Sequence, residues 1–162
     1  MPTDTVQSYN YLSPVRFAFI IDTPDLANIS FLCQTVNMPA MSVDGVQMPY
    51  RGFRPQVTGD RVVFDNFEAK FIIDEYLENY TAIYEWLLRE VTVAEPEQTK
   101  HKDVILLIYS NNNKLSARIK FISAFPVSLS PVPFDTSISE TQYLFADVSF
   151  SVDYFLIESL RT

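Results

Sequence analysis

Apolar residues recur at every second position through most of the chain, the spacing of strands with one covered face. From Val15 to Ile21 the alternation ends in an apolar run. Pro24, Asp25 and Asn28 mark a turn, and Ile29 to Val36 reads as a second strand closed by Met38-Pro39; these two strands are predicted to form a hairpin. The best strand pattern is Val62 to Asp74. It places Val63, Asp65, Phe67, Ala69, Phe71 and Ile73 on one side, and Val62, Phe64, Asn66, Glu68, Lys70 and Ile72 on the other. Neither side is uniformly polar, which suits a strand covered on both faces in an assembly. The period then changes to about 3.6: Leu77, Tyr80, Tyr84, Leu87, Leu88 and Val91 predict a helix over 75–91, with Asp74 as its N-cap and Glu75 and Glu78 at its positive end.

Val104 to Tyr109 and Leu115 to Ser123, joined by the Asn-rich turn from Ser110 to Lys114, predict a second hairpin. In it Arg118 and Lys120 oppose Ala117, Ile119 and Phe121. Residues 125–140, with Pro126, Pro131 and Pro133, read as an extended segment with turns. Gln142 to Phe155 alternates again: Ala146, Val148, Phe150, Val152 and Tyr154 on a packed face, Asp147, Ser149, Ser151 and Asp153 on a wet, acidic one.

Two stretches break the pattern. Residues 92–102 are polar and read as a surface loop. Residues 39–61 hold Pro39, Pro49, Pro55 and all three glycines, Gly45, Gly52 and Gly59, and are expected to form one long loop in which only Val43 to Met48 makes a short edge strand. Arg51, Arg54 and Arg61 lie there in an otherwise acidic chain, which marks the loop as a contact surface. The expected fold is mostly β: an antiparallel sandwich or barrel of six or seven strands with one α-helix, over residues 15–162 behind an N-terminal arm, 1–14.

Composition narrows the function. The formal net charge of −8 repels phosphate backbones and argues against tight nucleic-acid binding. The same sign keeps a protein soluble, and it also suits a surface that DNA passes without sticking. Cys33 is the one cysteine, so no intrachain disulfide forms. The first residues lack a signal-peptide layout, and no apolar run nears the roughly 18 residues of a membrane span. The expected compartment is the cytoplasm of the cell that makes the chain.

Catalytic groupings are not visible. His101, the one histidine, sits in a polar Lys-His-Lys segment and reads as a solvated loop residue. Cys33 lies at a strand position and reads as a small core hydrophobe. Asp74-Glu75 and the Asp60/Asp65 pair are explained by capping and solvation, the glycines are too widely spaced for a phosphate loop, and no metal-ligand cluster exists. No cofactor and no enzymatic activity are expected.

One block has a recognisable layout. Phe31 to Pro39 leads through a loop to Val57-Thr58-Gly59-Asp60-Arg61, then to Val62 to Phe71, the acidic turn Asp74-Glu75 and the helix; a long alternating strand, Phe145 to Phe155, closes the chain. This resembles the tail tube protein family of contractile-tailed, T4-like bacteriophages, over residues 15–90 and more loosely in the last strand. The resemblance implies a phage tail-tube fold whose hexameric rings stack into the inner tube through which DNA is ejected. The expected partners are further copies of the chain, the tail sheath, and baseplate hub or neck proteins. DNA passes the lumen without specific binding and no membrane anchoring is involved. The place is the virion tail, assembled in the host cytoplasm. On this reading Arg51, Arg54 and Arg61 are candidates for contact between rings, and Asp147, Ser149, Ser151 and Asp153 for the lumen wall. A tube-like baseplate initiator or a neck-side tail completion protein stands as the alternative. A carbohydrate-binding sandwich using Tyr9, Tyr11, Tyr50, Tyr76, Tyr80 and Tyr84 is the reading from another class.

Overall fold

The computed structural model describes residues 11–22, 30, 32–48, 51–52, 56–92, 101–137 and 142–160. The expected turn at Pro24, Asp25 and Asn28 and the first ten residues of the expected N-terminal arm lie outside them, as does residue 54. The strands are β1 (Phe17–Ile21), β2 (Cys33–Asn37), β3 (Met41–Gln47), β4 (Gln56–Phe64), β5 (Phe67–Ile72), β6 (Lys102–Tyr109), β7 (Leu115–Leu129), β8 (Phe145–Ser151) and β9 (Tyr154–Ser159); the helix α1 is Glu78–Thr92. All pairings are antiparallel. The main sheet runs β1-β6-β7-β8-β5-β2, with β9 also on β7, and β3-β4 stand apart as a two-stranded ribbon. The class expected from the alternation, mostly β and antiparallel, is the observed one.

β7 bends this sheet into two layers. Its first part pairs with β6 and β9, while Phe125 to Leu129 pair with β8. Ser123 marks the switch with φ 60, a conformation that bends a strand sharply. The opposing chain follows the same corner. Ser151 faces Phe125 and Tyr154 faces Ile122, three residues on against three back, so β8 and β9 keep one register around Val152-Asp153. The single strand expected over 142–155 is therefore one ladder bent between layers. The segment expected to be irregular from 125 begins as the end of β7, because Pro126 sits where a bulge spares its missing N–H.

Between the layers lies an aromatic core. Phe67 stacks on Phe121 (4.4 Å) and on Phe150 (5.0 Å), and Trp86 of α1 meets Phe150 at 5.7 Å. Phe19, Phe67, Phe71, Phe121 and Phe150 are fully buried, each contributing about 1.5–3 kcal/mol by leaving water. Of the expected packed face of the last strand, Ala146, Val148, Phe150 and Val152 are buried and Tyr154, past the bend, is exposed. Of the alternation from Val62 to Asp74, expected to be covered on both faces, the face with Phe67, Ala69 and Phe71 is the buried one.

The hairpin expected between the first two strands does not form. β1 pairs with β6 and β2 with β5, at opposite ends of the sheet. Both strands read as half-covered, and alternation carries no information about which neighbour covers them. The hairpin expected over 104–123 is present as β6-β7.

α1 starts three residues later than expected and buries a different face. Asn79, Ile83 and Trp86 are buried, whereas Tyr84, Leu88 and Val91 face solvent. Apolar residues on two sides leave the period unable to choose; the entry turn chooses. Leu77 adopts φ 58, and its carbonyl accepts from the N–H of Thr81. Asp74 Oδ1 accepts from the Asn79 N–H, and Asn79 Nδ2 donates to the carbonyl of Ile72 (2.7 Å). Asp74 thus does serve the first turn as an acceptor, from farther upstream than an N-cap, and Asn79 fixes which side of the helix turns inward.

Candidate assembly interface

The stretch expected to be a loop, 39–61, is largely a ribbon of two strands, β3 and β4. It continues the β2-β5 ladder. Asn37 faces Glu68 and Met41 faces Phe64, four residues on against four back, and the Asp65 N–H donates to Ala40's carbonyl between them. The strand expected from Val62 to Asp74 is accordingly split at Asp65-Asn66: β4 belongs to the ribbon and β5 to the core. At about 3.3 Å per residue, the seven residues of β3 carry this arm some 20 Å along its own axis.

The glycines have roles there. Between Val43 and Gly45 the register slips, so that Asp44 lies against a bulge around Gly59. A Cβ on Gly59 would be driven into the carbonyl oxygen of Asp44, with the carbonyl carbon only 3.0 Å away. Gly59 of the Gly-Asp-Arg tripeptide is thus a close-approach residue. Gly52, φ 86, shapes the turn beside Arg51.

Every residue of β3 is exposed, and of β4 only Gly59 and Phe64 are partly covered. Met41, Val43, Val46, Met48, Val57, Val62 and Val63 are each 41–65% exposed. Phe64 anchors the base against Phe155 (5.4 Å). A lone two-stranded ribbon is marginal in water, and this one exposes apolar side chains on both of its faces, together on the order of 600 Å². Such an arm is built to be covered. Arg51 is exposed at its turn and Arg61 is exposed on β4.

The two outer faces of the sandwich differ. On the β2-β5-β8 layer, Thr35 faces Lys70, Asn37 faces Glu68, Lys70 faces Asp147 and Glu68 faces Ser149. With Ser151 these make a polar surface, so Asp147, Ser149 and Ser151 share one face. Asp153 stands apart at the β8-β9 corner, its N–H donating to Ile122's carbonyl. The opposite layer sets Ile20, Ile105, Lys120 and Leu156 in one cross-strand row, and Ala18, Leu107, Arg118 and Glu158 in the next. Its charges are paired: Arg118 with Glu158 (3.3 Å) and Lys120 with Asp103 (2.9 Å). Lys120 holds the Asp103 carboxyl below the usual carboxylate range, and Asp103 in turn raises Lys120.

His101 is not simply a solvated loop residue. Its ring stacks on Phe125 at 4.5 Å, Nδ1 shares a hydrogen bond with Ser123 Oγ (2.8 Å), and Nε2 lies 3.7 Å from Glu90 of α1. It ties the end of the helix to the β7 bend, a role with no sequence signal. Cys33 packs against the core, its Sγ donates to Thr35's carbonyl, and burial pushes the thiol up to about 12. Of the tyrosines weighed for sugar binding, Tyr76 and Tyr84 are exposed. Tyr80 is half-buried with its hydroxyl donating to Ser130's carbonyl. Among the described residues, no three of His, Cys, Asp and Glu are grouped to hold a metal ion, and no helix is long and apolar enough to cross a membrane.

A bent two-layer sandwich with an uncovered arm is the tail-tube-like fold of contractile systems. It matches a chain of the extended sheath–tube complex of the extracellular contractile injection system PVC, with a TM-score of 0.69 and 15% identity over 99% of both chains. It matches the tube-terminating cap of the anti-feeding prophage with a TM-score of 0.70 and 15% identity over 96% of both. In sequence, the chain is similar to the Tail tube terminator protein of Enterobacteria phage T4: 26% identical over 161 residues, 94% of this chain and 92% of that protein. No protein-family model matches it. The resemblance to tail tube proteins thus extends beyond residues 15–90 to nearly the whole chain.

Proposed function

We propose that this chain is a structural, non-catalytic component of a phage contractile tail, a ring-forming subunit that terminates the tail tube. The observation that carries the reading is the end-to-end sequence likeness to a tube terminator. It moves the weight from the repeating tube subunit to the neck-side alternative. Residues 15–162 act as one tube-like domain. Six copies form a ring that sits on the tube, next to the sheath, and DNA passes through its lumen unbound.

Physical features support each part. Unpaired edges at β1, β2 and β9 are a liability in a monomer and are removed or covered in a ring. The polar face with Asp147, Ser149 and Ser151, and with Asp153 at its corner, suits a lumen that DNA slides past; a map of the assembled ring with Asp147 on its outside would remove that assignment. The arm brings Arg51, Arg54 and Arg61 to carboxylates of the adjacent ring. Nanogold bound to a C-terminal tag on isolated tails tests the reading. A single cluster at one tail end is expected, and substituting Arg51→Ala with Arg54→Ala should lower the labelled fraction. Label along the whole tail would make this the repeating tube subunit, and unlabelled tails would overturn a tail role.

A further inference from the structure

We infer that the β3-β4 arm of one copy seats in the cleft between β1 and β2 of a neighbouring copy, as an added strand. This rests on the reading of the chain as a ring-forming tail component and identifies the surface that receives its arm.

The sandwich is closed on one side by the bent β7 and β8-β9 ladder. On the other side its sheet ends at β1 and β2, which do not pair with each other. Among the described residues each therefore presents an edge with no second strand on it, where the Ile21 N–H donates to Ser30 Oγ and the Thr35 carbonyl accepts from Cys33 Sγ. An extended segment satisfies such an edge and a compact ligand does not. Between them lies a cleft of about 320 Å³, walled by Leu12, Phe17, Val36, Met38, Leu106 and Ile108. Its polar lining residues, Ser13, Gln34, Thr35 and Asn37, are all uncharged. The fitting occupant is an extended, largely aliphatic and locally uncharged strand with a free edge.

The outer half of the arm, Gly45 to Met48 with Gln56 to Gly59, has those properties, whereas Asp44, Asp60 and Arg61 put charge nearer its base. Among the described residues β3 and β4 pair only with each other, so each keeps one free edge. Val43, Val46, Val57 and Val62 lie exposed along it. Its exposed surface, on the order of 600 Å², approaches the ~800 Å² that each side of a standard interface buries. β9 is the competing edge, with Leu156 and Ile157 exposed. It is held flat against β7 over six consecutive pairs, however, and cannot enter a gap between layers.

The arm of a chain cannot fill that chain's own cleft. Met38 lines the rim, and β3 begins three residues later, leading away from β2-β5 as a continuation of their ladder. Folding back would sever that ladder. Arm into cleft is thus a contact between copies, and a head-to-tail one, the kind that closes into a ring when its rotation allows.

Two single-cysteine proteins test it, Val46→Cys on the arm and Met38→Cys on the cleft rim, both made with Cys33→Ala, which keeps that half-buried position apolar; both new cysteines are at exposed positions, 56% and 43%. The proteins are mixed and oxidised, association is followed by light scattering, and products are separated without reductant. The expected result is a heterodimer at least tenfold above the dimer from either protein alone, and a ladder of multimers from the protein carrying both cysteines. Homodimers dominating, or the double variant cross-linking within one chain, overturn the inference. Association without any cross-link overturns arm-in-cleft contact and leaves the terminator reading intact. That reading fails separately, on unlabelled tails.

Discussion

Among the described residues Asn79 is the one polar side chain fully buried in the core, and removing it should be costly in a particular way. Its Nδ2 donates to Ile72's carbonyl at 2.7 Å, and its Oδ1 accepts from the Asp74 N–H at 3.3 Å, at 1% exposure. Asn79→Ala leaves both backbone groups without this partner. An unsatisfied buried group costs about 1–3 kcal/mol, and with the 3.3 Å bond weaker than the 2.7 Å one the two together cost roughly 2–4 kcal/mol, a large part of a typical domain's stability. At about 2–4 °C per kcal/mol for a chain of this size, Tm should fall by roughly 5–15 °C. Asn79→Asp separates hydrogen bonding from shape. The carboxylate keeps an acceptor for Asp74 but turns the donor facing Ile72 into a second acceptor and buries a charge, so at pH 7 it should be worse than alanine. Protonation restores an O–H donor, and burial raises the carboxyl's pKa, so Asn79→Asp should regain stability relative to Asn79→Ala steadily as the pH is lowered towards the ordinary carboxylate range. Urea unfolding of the three proteins across pH 4 to 8 measures this. A loss under about 1 kcal/mol for alanine, or an aspartate variant that matches wild type at pH 7, would refute the argument that these two bonds set the helix rotation.

Two further outcomes follow from the geometry. Gly59→Ala should change the unfolding free energy by no more than the ±0.5 kcal/mol typical of surface changes, because Gly59 lies away from Phe64, the residue of β4 that packs on the core. It should weaken association at least tenfold, since the Cβ forces the Asp44 carbonyl out of the ribbon; light scattering on the variant decides, and wild-type association would count against the arm. The Asp103–Lys120 pair should be visible in pH scans. Asp103 has a folded pKa below its ordinary 3.8, so its contribution is present above that value and fades as the pH falls through the folded one. Lys120 is raised above 10.5, so its part is lost as the pH climbs past its folded value. The Tm difference between wild type and Asp103→Asn should close at both extremes; a difference independent of pH would show that the pair contributes nothing.

Local periodicity determined what depends only on neighbours along the chain. The alternation from Ala146 to Val152 named core residues correctly, because a pleated strand turns alternate side chains to one face whatever lies beside it; from Phe67 to Phe71 it separated the two faces without choosing the buried one. The Asn-rich turn gave the β6-β7 hairpin for a similar reason: its two strands meet across five residues. The order of residues around Gly59-Asp60-Arg61 carried a family resemblance that the whole-chain likeness then supported. Tertiary structure decided the rest. It chose β6 over β2 as the partner of β1, because both pairings satisfy the same alternation. It turned Asn79, Ile83 and Trp86 inward over Tyr84, Leu88 and Val91, because a helix apolar on two sides is oriented by the hydrogen bonds at its start. It also made a paired ribbon of 39–61, where prolines and glycines suggested a loop. Those glycines admit a close approach and a left-handed turn within the ribbon, and its exposed valines are spaced as in any strand. What covers them is a surface that a single chain does not contain.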